Sequence, residues 1–237
     1  MLTSVAKFID INNKNFIGLL LYGSQNYRLS TLDSDIDVIM IVHSYPSNSA
    51  ELFTKQGKMI VYTLNHFIEL LKNGDDVCYQ ALFSDYKLLN PAYEECFLSF
   101  IERFSACMNY NRIKWSLKNV LQEHLDKLKL PRPIDSNCKY NKRRLYRAMQ
   151  VHNQLTRINI GESYKSSIVY DNLTDYNIIK IKTIDNYLSI KEFNVLLNSL
   201  LKYFNSLPTY DIIVNNKEEI CFNSFYIDMQ RLYDNMK

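Results

Sequence analysis

The pattern of apolar and polar residues divides the chain into a part with short apolar runs and a longer part with helical periodicity. Residues 16–22 are an uninterrupted apolar run, and residues 36–42 are apolar apart from Asp37, so both predict buried strands. Residues 59–63 predict a third strand. Amphipathic patterns predict helices around these strands, over residues 2–15, 66–72 and 76–84.

After Ala92 the apolar residues recur at helical spacing almost throughout. They predict long helices around residues 113–125, 139–160, 188–207 and 222–237. Ser189, with Glu192 three residues later, forms a capping-box pattern at the start of one of them. The sequence therefore predicts two domains, an α/β unit over residues 1–90 and a helical unit over residues 91–237.

Composition is that of an ordinary globular protein, with 47% hydrophobic and 22% charged residues. No apolar stretch reaches the roughly 18 residues that a membrane-spanning helix needs. The five cysteines form no C-x-x-C pair. The sequence thus predicts a cytoplasmic protein with reduced thiols and no membrane partner.

The candidate chemistry lies in residues 18–42. An apolar run ends at Gly23-Ser24, and after a polar turn Ser34-Asp35-Ile36-Asp37 opens the next run. Side chains two apart on a strand point to the same face, so Asp35 and Asp37 are expected to converge. Two ionised carboxylates held together need a cation, and Mg²⁺ shared with nucleotide phosphates is the natural candidate. The Gly-Ser step offers a bare backbone and a hydroxyl to such a phosphate.

Residues 23–38, GSQNYRLSTLDSDIDV, resemble the Gly-Ser and Asp-x-Asp signature of the DNA polymerase beta nucleotidyltransferase superfamily. Within that superfamily the chain resembles the predicted nucleotidyltransferases of an RNA repair pathway. This looser similarity extends over residues 63–84, 139–164 and 175–180, and so over most of the chain.

The resemblance implies an α+β fold, with a small mixed-sheet nucleotidyltransferase domain followed by a helical domain. It implies transfer of a nucleoside monophosphate (NMP) from a nucleoside triphosphate (NTP) to a hydroxyl acceptor, RNA or a protein, with release of pyrophosphate. Gly23, Ser24 and Ser34 are then expected to bind the nucleotide phosphates. Asp35 and Asp37 are expected to hold one or two Mg²⁺ or Mn²⁺ ions and to serve as the catalytic residues.

One departure from the superfamily pattern leaves alternatives open. Members usually carry a third carboxylate on the next strand, whereas residues 58–63 contain no acid and have Lys58 about where one is expected. The nearest acids are Glu51 and Glu69. A degenerate protein that binds nucleotide or RNA without turnover is one alternative, and an antitoxin-like transferase that modifies a protein partner is another.

Positive charge is concentrated in the middle of the chain. Residues 103–165 hold 14 Lys and Arg against 4 Asp and Glu, whereas both flanking segments are acidic. The predicted helix over residues 139–160 carries a cluster of these residues: Lys139, Lys142, Arg143, Arg144 and Arg147. The three arginines share one side with Tyr140 at helical spacing. This stripe is expected to bind the triphosphate or an RNA backbone, with a solvated positive face as the alternative.

Overall fold

The computed structural model of the chain describes residues 10–23, 35–54, 57–129, 139–169, 188–210, 212–213 and 215–236. The chain forms two compact units, one made of residues 1–112 with 213–237 and the other of residues 113–212. These units divide the chain differently from the predicted domains 1–90 and 91–237, because helices after residue 90 contribute to both of them.

The first unit is built around a five-stranded sheet with the order β3-β4-β2-β1-β5. The strands are β1 Phe16–Tyr22, β2 Asp37–Val42, β3 Ser49–Thr54, β4 Gly57–Thr63 and β5 Lys87–Leu89. The sheet is mixed, because β2 pairs parallel with β4 and the other pairs are antiparallel. β1 is buried at every position, as its uninterrupted apolar sequence predicts.

Two of the described helices lie between β4 and β5 along the chain, and the others follow β5. The helices are α1 Leu64–Lys72, α2 Asp76–Leu82, α3 Glu94–Cys107, α4 Tyr110–Lys129, α5 Lys139–Asn159, α6 Tyr164–Ser167, α7 Ile190–Ser206 and α8 Asn216–Asn235. With a mixed sheet first and mainly helices after it, the structure confirms the predicted α+β class. Within the described ranges, no helix has the length and apolar composition that crossing a bilayer requires.

Aromatic packing joins α8 to α3 within the first unit. The rings of Phe100 and Phe225 stack with centroids 4.0 Å apart, and Phe97 meets Phe225 edge to face at 5.7 Å. Phe104 and Phe222 lie 4.9 Å apart. Large buried rings dominate the energetics of a core, so the C-terminal helix is part of the first unit although it is distant in sequence.

In the residues that the structure describes, the second unit contains α4 from Ile113 onward together with α5, α6 and α7. Leu145, Ala148, Val151 and Leu155 form the buried stripe of α5 at helical spacing. At the start of α7, the Ser189 hydroxyl oxygen accepts a hydrogen bond from the Glu192 N–H, and the Glu192 carboxylate accepts one from the Ser189 N–H. The predicted capping box is therefore confirmed.

Three expectations from the sequence differ from the structure. The strands β3 and β5 were not predicted, because β3 is an edge strand with mostly exposed side chains and β5 has three residues. Residues 10–15 form turns rather than the end of a helix, and residues 1–9 of that predicted helix lie outside the described part of the chain.

Candidate active site

Gly23 directly follows β1 and lies beside the carboxylate of Asp37. The last residue of β1, Tyr22, pairs with Asp37, the first residue of β2. Gly23 has a φ of +78°, and a Cβ built on it would lie 3.2 Å from Oδ2 of Asp37. Glycine adopts this backbone conformation without the strain that a side chain causes. The structure therefore brings the bare backbone of Gly23 next to a carboxylate, as the signature predicts.

Asp37 is partly buried at the edge of this site. Its Oδ1 accepts a hydrogen bond of 3.3 Å from the backbone N–H of Lys58. Burial raises the pKa of Asp37 and the Asp35 carboxylate raises it further, while the N–H and the charge of Lys58 lower it. The net rise means that the protein leaves the negative charge of Asp37 only partly compensated. A cation bound at this carboxylate would supply the missing compensation.

Asp35 is exposed and precedes β2, which begins at Asp37 instead of Ile36. Alternation within β2 therefore does not by itself place Asp35 on the face of Asp37, because only Asp37 belongs to the strand. The charge of Asp35 nevertheless raises the pKa of Asp37, so the two carboxylates are close enough to interact. The predicted interaction of the two carboxylates therefore does not depend on alternation within β2.

The site also depends on Gly57, which the sequence analysis did not single out. Gly57 begins β4, has a φ of +150°, and a Cβ on it would lie 2.0 Å from the carbonyl oxygen of Ile36. Only glycine allows this approach to the residue between the two aspartates. The sequence offers one signal for this role, a glycine just before the apolar run 59–63, but it is one of five glycines in the chain.

The place expected for a third carboxylate is taken by Lys58. The parallel register of β2 and β4, with Val38 opposite Met59, sets Lys58 beside Asp37. The Lys58 ammonium lies 2.6 Å from Oε1 of Glu51 on β3 and 5.8 Å from the centroid of the Phe53 ring. This position of β4 thus carries a lysine paired with Glu51, and not an acid that faces the aspartates.

Asp35 and Asp37 supply hard oxygen ligands that fit one divalent cation, with its other positions left to phosphate or water oxygens. In the described part of the chain, no group of three or more His, Cys, Asp and Glu residues could hold a metal ion. The described residues therefore fit a cation shared with a substrate and do not form a complete protein cage.

Two tyrosines lie in the electrostatic environment of the site. Burial raises the pKa of Tyr22, and the negative charges of Asp37 and Glu51 raise it further. Burial likewise raises the pKa of Tyr62, with a smaller contribution from Glu51. Both hydroxyls therefore stay protonated across the physiological range and remain able to donate hydrogen bonds near the carboxylates.

The expected phosphate-binding residues Ser24 and Ser34 lie outside the described residues. So do residues 175–180, one of the segments that resemble the superfamily. Lys139 begins α5. Of the other basic residues of that helix, Arg143 is exposed, whereas Lys142, Arg144 and Arg147 are partly buried. The cluster therefore belongs to the second unit, and the Asp37 site belongs to the first.

Arg144 turns toward α4 within the second unit. Its Nη1 lies 3.2 Å from Nδ1 of His124 and 3.8 Å from Oε1 of Glu123. Burial lowers the pKa of His124 to about 4, and the charges of Arg147 and Arg144 add to the effect. A neutral imidazole with Nδ1 as acceptor satisfies this contact. Arg144 thus has a packing role in addition to any part in a basic surface.

The sequence matches no protein-family model, and it matches no curated protein. Among solved structures, the chain is similar to a nucleotidyltransferase-like protein from Exiguobacterium sibiricum 255-15. The identity is 8% and the TM-score is 0.36, over 100% of this chain and 81% of that one. A similarity at this level carries no argument about activity, so the candidate site rests on its own geometry: two interacting aspartates beside the backbone of Gly23.

Proposed function

We propose that the chain is a metal-dependent nucleotidyltransferase that moves an NMP from an NTP to a hydroxyl acceptor. The observation that carries the proposal is the position of Gly23, where an added Cβ would lie 3.2 Å from Oδ2 of Asp37, together with the interaction of the half-buried Asp37 carboxylate with Asp35. A metal-bound triphosphate requires backbone that its phosphates can approach closely. It also requires carboxylates whose negative charge the protein itself does not neutralise.

In the proposed reaction the acceptor oxygen forms a bond to the α-phosphorus while the bond from that phosphorus to the β-bridging oxygen breaks. Pyrophosphate leaves with the electron pair, and the hydroxyl proton passes to solvent. Asp35 and Asp37 hold Mg²⁺ or Mn²⁺, and Gly23 leaves room for a phosphate near the ion. The bound ion supplies charge neutralisation for the phosphates and lowers the pKa of the acceptor hydroxyl.

RNA is the acceptor that the charge distribution favours. Residues 103–165 carry all of the excess positive charge, since both flanking segments are acidic, and Arg143 of that segment is exposed on α5. Clustered exposed cations bind a polyphosphate backbone through release of its counterions. A protein acceptor remains the alternative within the same chemistry.

The direct test incubates the full chain with labelled NTPs and Mg²⁺ or Mn²⁺, in separate reactions with RNA and with protein acceptors. We expect label to become bonded to RNA and pyrophosphate to appear in equal amount. The matched controls are Asp35→Asn and Asp37→Asn, which keep side-chain size and remove charge, and both are expected to abolish transfer. Absence of transfer by the wild-type chain across all NTPs and acceptors contradicts the proposal.

A second candidate is a protein that binds the nucleotide without turning it over, and the ion pair of Lys58 with Glu51 where a third acid is expected favours it. The same reactions discriminate the two functions. Metal-dependent NTP binding without transfer supports the second candidate, whereas transfer that Asp37→Asn abolishes excludes it. Label bonded to protein alone identifies an antitoxin-like transferase.

A further inference from the structure

Lys58 places a positive charge on the face of the sheet that carries Asp37. Residues directly opposite each other in neighbouring strands point to the same face, and the register of β2 and β4 sets Lys58 beside Asp37. The backbone N–H of Lys58 also donates to Oδ1 of Asp37. The backbone of Lys58 is thus hydrogen-bonded to the Asp37 carboxylate, while its ammonium pairs with Glu51 on β3.

The partners that hold the ammonium are exposed and replaceable. The side chains of Lys58 and Glu51 are 30% and 51% exposed, and Phe53 is 76% exposed. Ion pairs as exposed as this one contribute little to stability. A phosphate oxygen, which accepts a stronger charge-assisted hydrogen bond, can therefore replace Glu51 at small cost.

The same charge disfavours a second metal ion. A second divalent cation bound at Asp37 on this face would lie near the ammonium and would be repelled by it. The described residues also provide no group of three metal ligands that could offset this repulsion. The Lys58 ammonium therefore stands where a second metal site would need a third carboxylate, and it supplies a positive charge of its own.

We infer that Lys58 binds a non-bridging oxygen of the triphosphate in place of a second metal ion, so that the site holds one divalent cation. Glu51 is the partner of the ammonium in the free protein and releases it when the phosphate binds. The inference rests on the proposed function, since it concerns the same substrate, and it assigns Lys58 as a phosphate-binding residue.

The test measures binding of two probes to the full chain in the presence of Mn²⁺: inorganic tripolyphosphate and the α,β-methylene analogue of ATP. Lys58→Met is expected to weaken both by about tenfold or more, as loss of a charge-assisted hydrogen bond predicts. Lys58→Arg is expected to retain most of the affinity. The control is Lys72→Met, which removes one positive charge from the end of α1, where the ammonium lies over the Phe222 ring.

A second readout counts Mn²⁺ ions per chain at saturating analogue, by electron paramagnetic resonance of free Mn²⁺. One ion is expected for the wild type and for Lys58→Met. Two ions in the wild type, or equal probe affinity of Lys58→Met and the wild type, overturn the role of Lys58 and leave the proposed function standing. If the wild type transfers no NMP and binds neither probe, the proposed function itself fails, and this inference with it.

Discussion

At the scale of single residues, the candidate site depends on missing side chains as much as on charged ones. Gly23 leaves space beside Asp37, and Gly57 leaves space beside Ile36, the residue between the two aspartates. Both backbones have positive φ values that other residues adopt only with strain. The position of the aspartates is therefore set by two glycines that lie far from each other in sequence.

We expect Gly57→Ala to reduce the free energy of unfolding by at least about 2 kcal/mol, because a Cβ 2.0 Å from the Ile36 carbonyl oxygen forces the backbone apart. It should also weaken Mn²⁺ binding, because Ile36 moves together with its neighbours. Urea unfolding and a metal titration measure the two effects. Gly161→Ala is the control, since its φ of +97° adds strain but its Cβ would meet nothing within 4 Å. Equal losses of stability in the two variants would contradict the steric explanation.

The lowered pKa of His124 predicts that the folded chain loses stability as the pH falls. Burial together with Arg147 and Arg144 lowers its pKa to about 4 in the folded chain, against about 6.5 when unfolded. The unfolded state therefore binds a proton first as the pH falls, and the stabilisation from the neutral imidazole is lost between about pH 6.5 and pH 4. The shift corresponds to about 3 kcal/mol.

The measurement is urea unfolding at several pH values for the wild type and for His124→Gln, in which an amide oxygen can accept the Arg144 hydrogen bond. We expect the variant to lose less stability over this window. The pKa of His43 is also lowered to about 4 by burial, but His43 is present in both chains, so the difference isolates His124. Parallel pH profiles would contradict the lowered pKa of His124 in the folded state.

At the scale of elements, a buried ion pair joins the start of α4 to the start of α8. Arg112 and Glu218 are fully buried, with Nη2 and Oε1 2.6 Å apart, and the same Nη2 donates to the Tyr79 hydroxyl at 3.2 Å. Nε and Nη1 of Arg112 have no hydrogen-bond partner among the described residues. The pair therefore fixes three helices at the cost of an incompletely satisfied guanidinium.

We expect Glu218→Gln to destabilise the chain by about 3 to 5 kcal/mol, because it leaves a buried charge uncompensated. The double variant Arg112→Met with Glu218→Gln should recover part of that loss, since no charge remains to be compensated. The exposed pair of Arg231 and Asp228, 3.9 Å apart, provides the control, and Asp228→Asn should change stability by less than about 1 kcal/mol. Strict additivity of the Arg112 and Glu218 substitutions would contradict the coupling.

The elements that the sequence predicts well are those with a strong burial pattern. β1 is apolar throughout and α7 carries a capping box, and both form where expected. β3 escapes prediction because its exposed edge position imposes no alternation on Leu52 and Phe53. The start of α8 was missed by six residues, since Asn216 to Glu219 are polar and their signal is the Asn215 capping box.

The site is predictable only where its residues are adjacent in sequence. Gly23, Asp35 and Asp37 belong to one short stretch whose pattern carries the chemistry. The approach of Gly57 to Ile36 and the pairing of Lys58 with Glu51 depend on which strands are neighbours and in which register. Periodicity along one strand contains no such information, so these contacts required the structure.

At the scale of the whole molecule, the chain alternates between the two units. The segment 213–237 returns to the first unit, and the basic segment 103–165 lies mostly in the second. The sequence predicts the location of the positive charge, but the helix pattern cannot tell which cations face solvent. Arg143 is exposed, whereas Arg144 is engaged with His124.

This difference predicts how RNA binding depends on salt. If the second unit binds an RNA backbone, the logarithm of the affinity for a short oligouridylate should fall linearly with the logarithm of salt between about 50 and 200 mM. Arg143→Gln should weaken binding and reduce the slope by about 0.7, the contribution of one phosphate contact on a single strand. Fluorescence anisotropy with the full chain measures both quantities.

Arg144→Gln is the matched variant, since it removes the same charge one residue along α5. It breaks the contact with His124, so we expect its main effect on the free energy of unfolding, about 1 kcal/mol, with a smaller change in the salt slope. Equal slopes for the wild type and Arg143→Gln would show that this face of α5 does not touch the RNA. Because Asp37→Asn acts in the other unit on the metal, it should abolish transfer while leaving the salt slope unchanged, which separates acceptor binding from chemistry.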